Sequence, residues 1–143
     1  MAALKEIAAL FYEGNDEITF NGSRRGNLTI GEYAFSANKK LTAVKMPQVT
    51  TVGAYAFADC VGLETVTLGE NAQIGRMAFY NNASLKEIDL SKAASIGDYA
   101  FYDCKNIECL TLGEGLRSCG REAFEGCYNL RSLHIPSIPM WCN

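Results

Sequence analysis

His134 is the only histidine among 143 residues, so imidazole chemistry would have to run through it. A nucleophile activated by it would come from one of the six cysteines or a serine. Cys109 is the candidate by position: it falls on the neighbouring strand of the repeat described below, but one column over. No third group is specified to orient the ring, so nucleophilic catalysis has no constellation to act through. Zinc would want Cys-x-x-Cys or a Cys/His cluster; Cys104/Cys109 and Cys119/Cys127 have neither the spacing nor a shared face. Gly69-Glu70-Asn71 and Gly113-Glu114-Gly115 are loop connectors rather than phosphate cradles, because no strand-glycine-helix motif with a lysine follows. The sequence therefore assigns no catalytic residue, no cofactor and no metal, and the expectation is a non-enzymatic protein.

The side chains that remain are suited to recognition, and a repeat positions them. Ile96-Gly97-Asp98-Tyr99-Ala100-Phe101-Tyr102-Asp103-Cys104 recurs with small substitutions at 30–38, 52–60, 74–82 and 119–127. Its phenylalanines, Phe35, Phe57, Phe79, Phe101 and Phe124, are 22, 22, 22 and 23 residues apart, a period that marks a solenoid. Gly31, Gly53, Gly75, Gly97 and Gly120 stand at the entry to each copy, and apolar residues then follow at helical intervals. The pattern predicts a short helical turn with Ala-Phe pointing inward and an edge-to-face or offset phenylalanine ladder. The second half of each copy is Leu-x-x-Val-x-Leu, as in Leu63-Val66-Leu68 and Leu85-Ile88-Leu90. Its last three residues alternate in-out-in, which predicts one parallel sheet with a strand from every copy.

These strands and the Ile-Gly-Asp-Tyr-Ala-Phe-Tyr-Asp-Cys segment together closely resemble the BspA-like class of bacterial and protist leucine-rich repeats, over residues 28–135 in five copies. The resemblance implies an α/β fold: a curved right-handed leucine-rich repeat solenoid with parallel strands on the concave face and short helical turns on the convex face. It also implies a cell-surface or secreted protein that adheres to a protein or glycan ligand, such as host matrix or another cell. A cytoplasmic bacterial scaffold or assembly protein is the alternative, because Met1–Tyr12 lacks a charged n-region and carries Lys5 and Glu6 within its apolar stretch, unlike a secretory signal. Leu4, Ile7, Ala8 and Phe11 instead predict an amphipathic helix over 2–12, a cap for the first repeat in a segment spanning 1–27. Residues 136–143 read as a tail in which Pro136 and Pro139 blunt further strand pairing. Ile138, Met140 and Trp141 there form a lid, or the tail marks where a longer array was cut.

Aligning the strands gives columns of outward residues. One reads Thr42, Glu64, Lys86, Glu108, Arg131, with alternating sign from Glu64 onward; it serves as a register ladder or as a charged ligand strip. The next reads Ala43, Thr65, Glu87, Cys109, Ser132. The third, Lys45, Thr67, Asp89, Thr111, His134, is less self-paired and is the better contact surface. Candidate partner-binding residues are thus Lys45, Thr67, Asp89, Thr111 and His134, with Lys86, Glu108 and Arg131. Cys60, Cys104 and Cys127 share a position with Asn38 and Asn82, which asks for a small polar group rather than a disulfide. Cys119 takes the place of Ile or Val and reads as a small buried hydrophobe. Tyr33, Tyr55, Tyr80, Tyr99 and Tyr102 form convex-side stripes that pack between turns, with a partner surface as the second reading. The net charge of -3 and scattered basic residues leave nucleic acid without an electrostatic footprint, and no apolar run reaches the ~20 residues of a membrane span.

Overall fold

The computed structural model describes residues 6–7, 17–19 and 28–136, the first pair by backbone alone. Each coil of the chain supplies two strands. The first series is β1 (Glu6–Ile7), β3 (Leu28–Ile30), β5 (Val49–Val52), β7 (Ala72–Ile74), β9 (Ala93–Ile96) and β11 (Ser118–Cys119), paired in that order as one parallel six-stranded sheet. The second is β2 (Glu17–Thr19), β4 (Ala43–Lys45), β6 (Thr65–Thr67), β8 (Glu87–Leu90), β10 (Cys109–Leu112) and β12 (Ser132–His134). This second series carries the Leu-x-x-Val-x-Leu motif and presents the columns aligned above. It is not one sheet, as expected, but two: β2-β4-β6 and β8-β10-β12, with the ladder interrupted between β6 and β8. The molecule is a parallel-strand β-solenoid whose core runs along its axis, lined by Leu41, Val44, Met46 and their counterparts in later coils.

The helical turns expected after each glycine are absent; none of the described residues is helical. An α-helix sends every N–H to the carbonyl four residues back. Here only alternate N–H groups stay within the coil. Ala34, Ser36 and Asn38 donate to the carbonyls of Gly31, Tyr33 and Phe35, three residues back, at 3.2 Å each. Tyr33, Phe35 and Ala37 donate instead to Ala54, Ala56 and Ala58 of the next coil, at 3.0, 2.7 and 2.7 Å. The same lateral donation recurs from Tyr55, Phe57 and Asp59, from Met77, Phe79 and Asn81, and from Tyr99, Phe101 and Asp103. The zigzag holds two residues per coil at positive φ: Tyr33 and Ala37, Tyr55 and Asp59, Met77 and Asn81, Tyr99 and Asp103, Glu122 and Gly126. Left-handed backbone costs about 1–2 kcal/mol for each non-glycine residue, which the lateral bonds and the packing beneath must offset.

That packing is the phenylalanine ladder. Rings of Phe35, Phe57, Phe79, Phe101 and Phe124 stack in succession at centroid distances of 5.4, 5.3, 5.1 and 5.4 Å, with planes within 7° of parallel. Tyr33–Tyr55 and Tyr80–Tyr102 stack in parallel outside it, at 4.7 and 5.8 Å, as packing between turns requires. The entry glycines serve close approach rather than unusual backbone. A Cβ on Gly97 would sit 2.7 Å from Arg76 N and the Gly75 carbonyl carbon of the preceding coil. A third lateral ladder precedes the second strand series: Ser84 Oγ donates to Val61 O at 2.6 Å, and Asn106 Nδ2 to Ala83 O at 2.6 Å.

The position shared by Cys and Asn does want a small polar group. Cys60 Sγ donates to Phe35 O at 3.1 Å and Cys104 Sγ to Phe79 O at 3.1 Å, each reaching back to the coil before. Burial pushes the Cys60 thiol up to about 12 and the Cys127 thiol up to about 11, and shifts Cys104 in the same direction. These are neutral, inert thiols, and Cys60, Cys104, Cys109, Cys119 and Cys127 are all free. Asn82 fits less well. It is fully buried and its Nδ2 reaches Phe79 O at 2.9 Å, but its Oδ1 has no partner. An orphaned buried acceptor costs about 1–3 kcal/mol. Asn82→Cys, which adopts the residue of neighbouring coils, should therefore raise stability by about 1 kcal/mol in urea denaturation.

Two further expectations change. Cys119 is exposed, not buried: Ile30, Val52, Ile74 and Ile96 at its position are covered by the next strand of the sheet, and among the described residues no strand pairs beyond β11. Glu6–Ile7 is a strand paired with β3, which a helix across 2–12 would forbid; the rest of that helix lies outside the described residues. The lid expected from Ile138, Met140 and Trp141 also lies outside them. In the described segment just before it, Leu133 is 50% and Ile135 37% exposed.

Candidate functional site

The second strand series positions the site. In β4, β6, β8 and β10 the middle valine, isoleucine or leucine is buried and its neighbours face outward, so alternation alone puts two residues per strand on the surface. Lys45 pairs in register with Thr67, and Asp89 with Thr111 and then His134. The third column is thus assembled as aligned, but in two pieces, Lys45–Thr67 and Asp89–Thr111–His134, divided at the β6/β8 seam. Cys109 lies opposite Ser132 rather than His134, one column over, and His134 Nε2 sits 3.0 Å from Ser132 Oγ.

Not every aligned residue is equally free to meet a partner. Asp89 Oδ1 accepts the Ser91 backbone N–H at 2.9 Å, and hydrogen bonds from the Ser91 side chain and backbone hold its carboxyl below the usual range. Asp89 therefore also closes the turn that leads out of β8. The alternating column behaves differently from a self-satisfied ladder: among the described residues the one ion pair is Lys92 Nζ–Glu70 Oε1, at 3.6 Å and well exposed. Glu64, Lys86, Glu108 and Arg131 are exposed without engaging one another at ion-pair distance.

Around β8, across the seam on one side and the paired strand β10 on the other, the face is hollowed. An open groove of about 510 Å3 is lined by Glu64, Thr65, Ser84, Lys86, Glu87, Asn106, Glu108 and Cys109. A second hollow of about 410 Å3 shares Thr65, Glu87 and Cys109 with it and continues past Asp89 to Thr67 and Thr111, floored by Val66 and Ile88. The structure thus gathers Lys86, Glu108, Thr67, Asp89 and Thr111 around the seam, whereas Lys45, Arg131 and His134 lie outside both hollows. Sequence reasoning had not singled out Glu64, Glu87, Ser84 and Asn106. Glu64 and Glu87 stood in the outward columns, but nothing in a strand motif signals where a ladder will break. The hollows hold carboxylates, hydroxyls, an amide and an ammonium over an apolar floor, an arrangement able to bind polar groups by hydrogen bonds and charge.

The profile of the BspA type leucine rich repeat region matches residues 17–140, with six copies. The match begins at residue 17, ahead of the five copies read from sequence, where β2 already pairs with β4. A leucine rich cell surface protein of Faecalibacterium prausnitzii is similar in structure, with a TM-score of 0.79 at 24% identity over 89% of this chain and 34% of its own. A leucine-rich repeat protein of Bacteroides ovatus superposes with a TM-score of 0.72 at 30% identity, over 84% of this chain and 33% of its own. The leucine rich repeat protein of T. pallidum gives 0.76 at 23% identity, over 86% of this chain and 60% of its own. The chain spans about a third of the first two of these proteins. No curated protein is significantly similar to it in sequence. Among the described residues no helix is long and apolar enough to cross a membrane.

Proposed function

The chain belongs to the BspA-type leucine-rich repeat family, a family of protein-interaction modules, and from that premise we propose that it recognises a protein partner through the face of its second strand series. The observation that carries this is the hollowed seam between β6 and β8, where exposed polar side chains stand on a scaffold fixed by three lateral ladders. Rigid strands hold contact residues at fixed spacing, so little ordering entropy is lost on docking. Thr67, Thr111, Lys86 and Glu108 form the central contacts, with Lys45, Arg131 and His134 at the margins. A role in adhesion at the cell surface is consistent with the surface protein that shares this fold.

The test is site-specific photo-crosslinking. A crosslinking residue at Thr67, and separately at Tyr33 on the turn side, is exposed to cell-surface and matrix protein preparations. Adducts at Thr67 that disappear when Lys86 and Glu108 are changed to alanine, with melting unchanged, are the expected result. Adducts confined to Tyr33 would move the docking face to the turns.

A further inference from the structure

We propose that the partner presents a lysine- or arginine-bearing segment to the β6/β8 seam. This rests on the strand face being the docking face and specifies what the face selects. The two hollows at the seam bring together Glu64, Glu87, Asp89 and Glu108 against a single cation, Lys86. All five are exposed, and none is in an ion pair among the described residues. Glu64 just before β6, Glu87 on β8 and Glu108 just before β10 line one groove, so their carboxylates fall within the reach of one extended basic segment crossing the strands. The basic residues of the face are pushed to its margins, Lys45 on β4 and Arg131 just before β12, which leaves the centre negative. Thr65, Ser84 and Asn106 add polar groups around the same groove, and Val66 and Ile88 floor its extension beneath the aliphatic stem of a lysine or arginine.

Charge alone would draw any basic peptide to a chain of net charge -3, so the experiment separates the groove from the total charge. A fluorescent oligo-arginine peptide is titrated into the full chain at low salt, with oligo-glutamate as its counterpart. Three chains are compared: the parent, one with Glu64→Gln, Glu87→Gln and Glu108→Gln, and one with Glu114→Gln, Glu122→Gln and Glu125→Gln, which removes the same charge away from the face. Loss of three surface ion pairs corresponds to about tenfold weaker binding. That loss in the groove variant alone, with oligo-glutamate failing to bind, is the expected result. Equal weakening in both variants, or none in either, overturns the proposal. Crosslinks at Thr67 to a partner segment without lysine or arginine would also overturn it, while leaving the strand face as the docking face.

Discussion

Phe79→Ala should cost about 3–5 kcal/mol of folding free energy. Phe79 is fully buried and stacks on Phe57 at 5.3 Å and on Phe101 at 5.1 Å, so its removal opens a cavity at mid-ladder and severs contacts on both sides. Each aromatic pair adds about 0.5–1.5 kcal/mol beyond burial. A stack of coils communicates only through neighbours, so no distant part of the core can close over the gap. Against a total stability of about 5–15 kcal/mol, the loss brings the protein near its unfolding threshold. Urea denaturation reads it directly. Phe124→Ala is the internal comparison, because Phe124 is only partly buried and, among the described residues, stacks on Phe101 alone. Its cost should be about half, and equal costs would show that stacking between coils contributes little.

Gly97→Ala should destabilise by about 3 kcal/mol, at the upper end of overpacking effects. The atoms that a Cβ would strike, Arg76 N and the Gly75 carbonyl carbon at 2.7 Å, belong to backbone, which cannot rotate aside as a side chain would. Relief requires separating two coils where Gly97 N–H donates to Ile74 O at 2.8 Å. Gly115→Ala provides the contrast. Nothing lies within 4 Å of a Cβ there and its φ is ordinary, so the change should stay within about 0.5 kcal/mol of the parent. Similar melting temperatures for both variants would mean that the coils are less tightly apposed than the structure shows.

The repeat made the solenoid, the phenylalanine ladder and the outward columns legible, because each depends on residues recurring at one spacing. The six-stranded sheet was not legible, and the reason is local. The buried residue between the last leucine of one strand and the isoleucine before glycine alternates in position, at Val49 and Ala93 in some coils and Ala72 in another. The register shifts at Leu28/Thr29 and Ala72/Gln73 absorb that difference as bulges, which erase the period of two. The turns misled for a different reason: i, i+3 and i+4 spacing buries one face of a helix equally well as one face of a zigzag with lateral bonds. What separates them is a donor shared with the next coil, invisible in any single copy. At the site, columns could be read, whereas the seam depends on how two strands fail to pair.

The lateral donors on the turn side also fix how such a molecule can change in length. Tyr33 N–H meets Ala54 O, and Tyr55 N–H meets Arg76 O. Excising one full coil would bring Tyr33 N–H against Arg76 O, with every donor again facing an acceptor and Phe35 against Phe79. Excising half a coil, about eleven residues, would set the strand half of one coil against the turn half of its neighbour and put a leucine such as Leu90 where a phenylalanine is needed. Inheritance of this architecture is therefore quantised. Whole coils can be lost or duplicated without disturbing the wall they belong to, and each duplication carries a fresh pair of outward side chains to the face where partners are chosen.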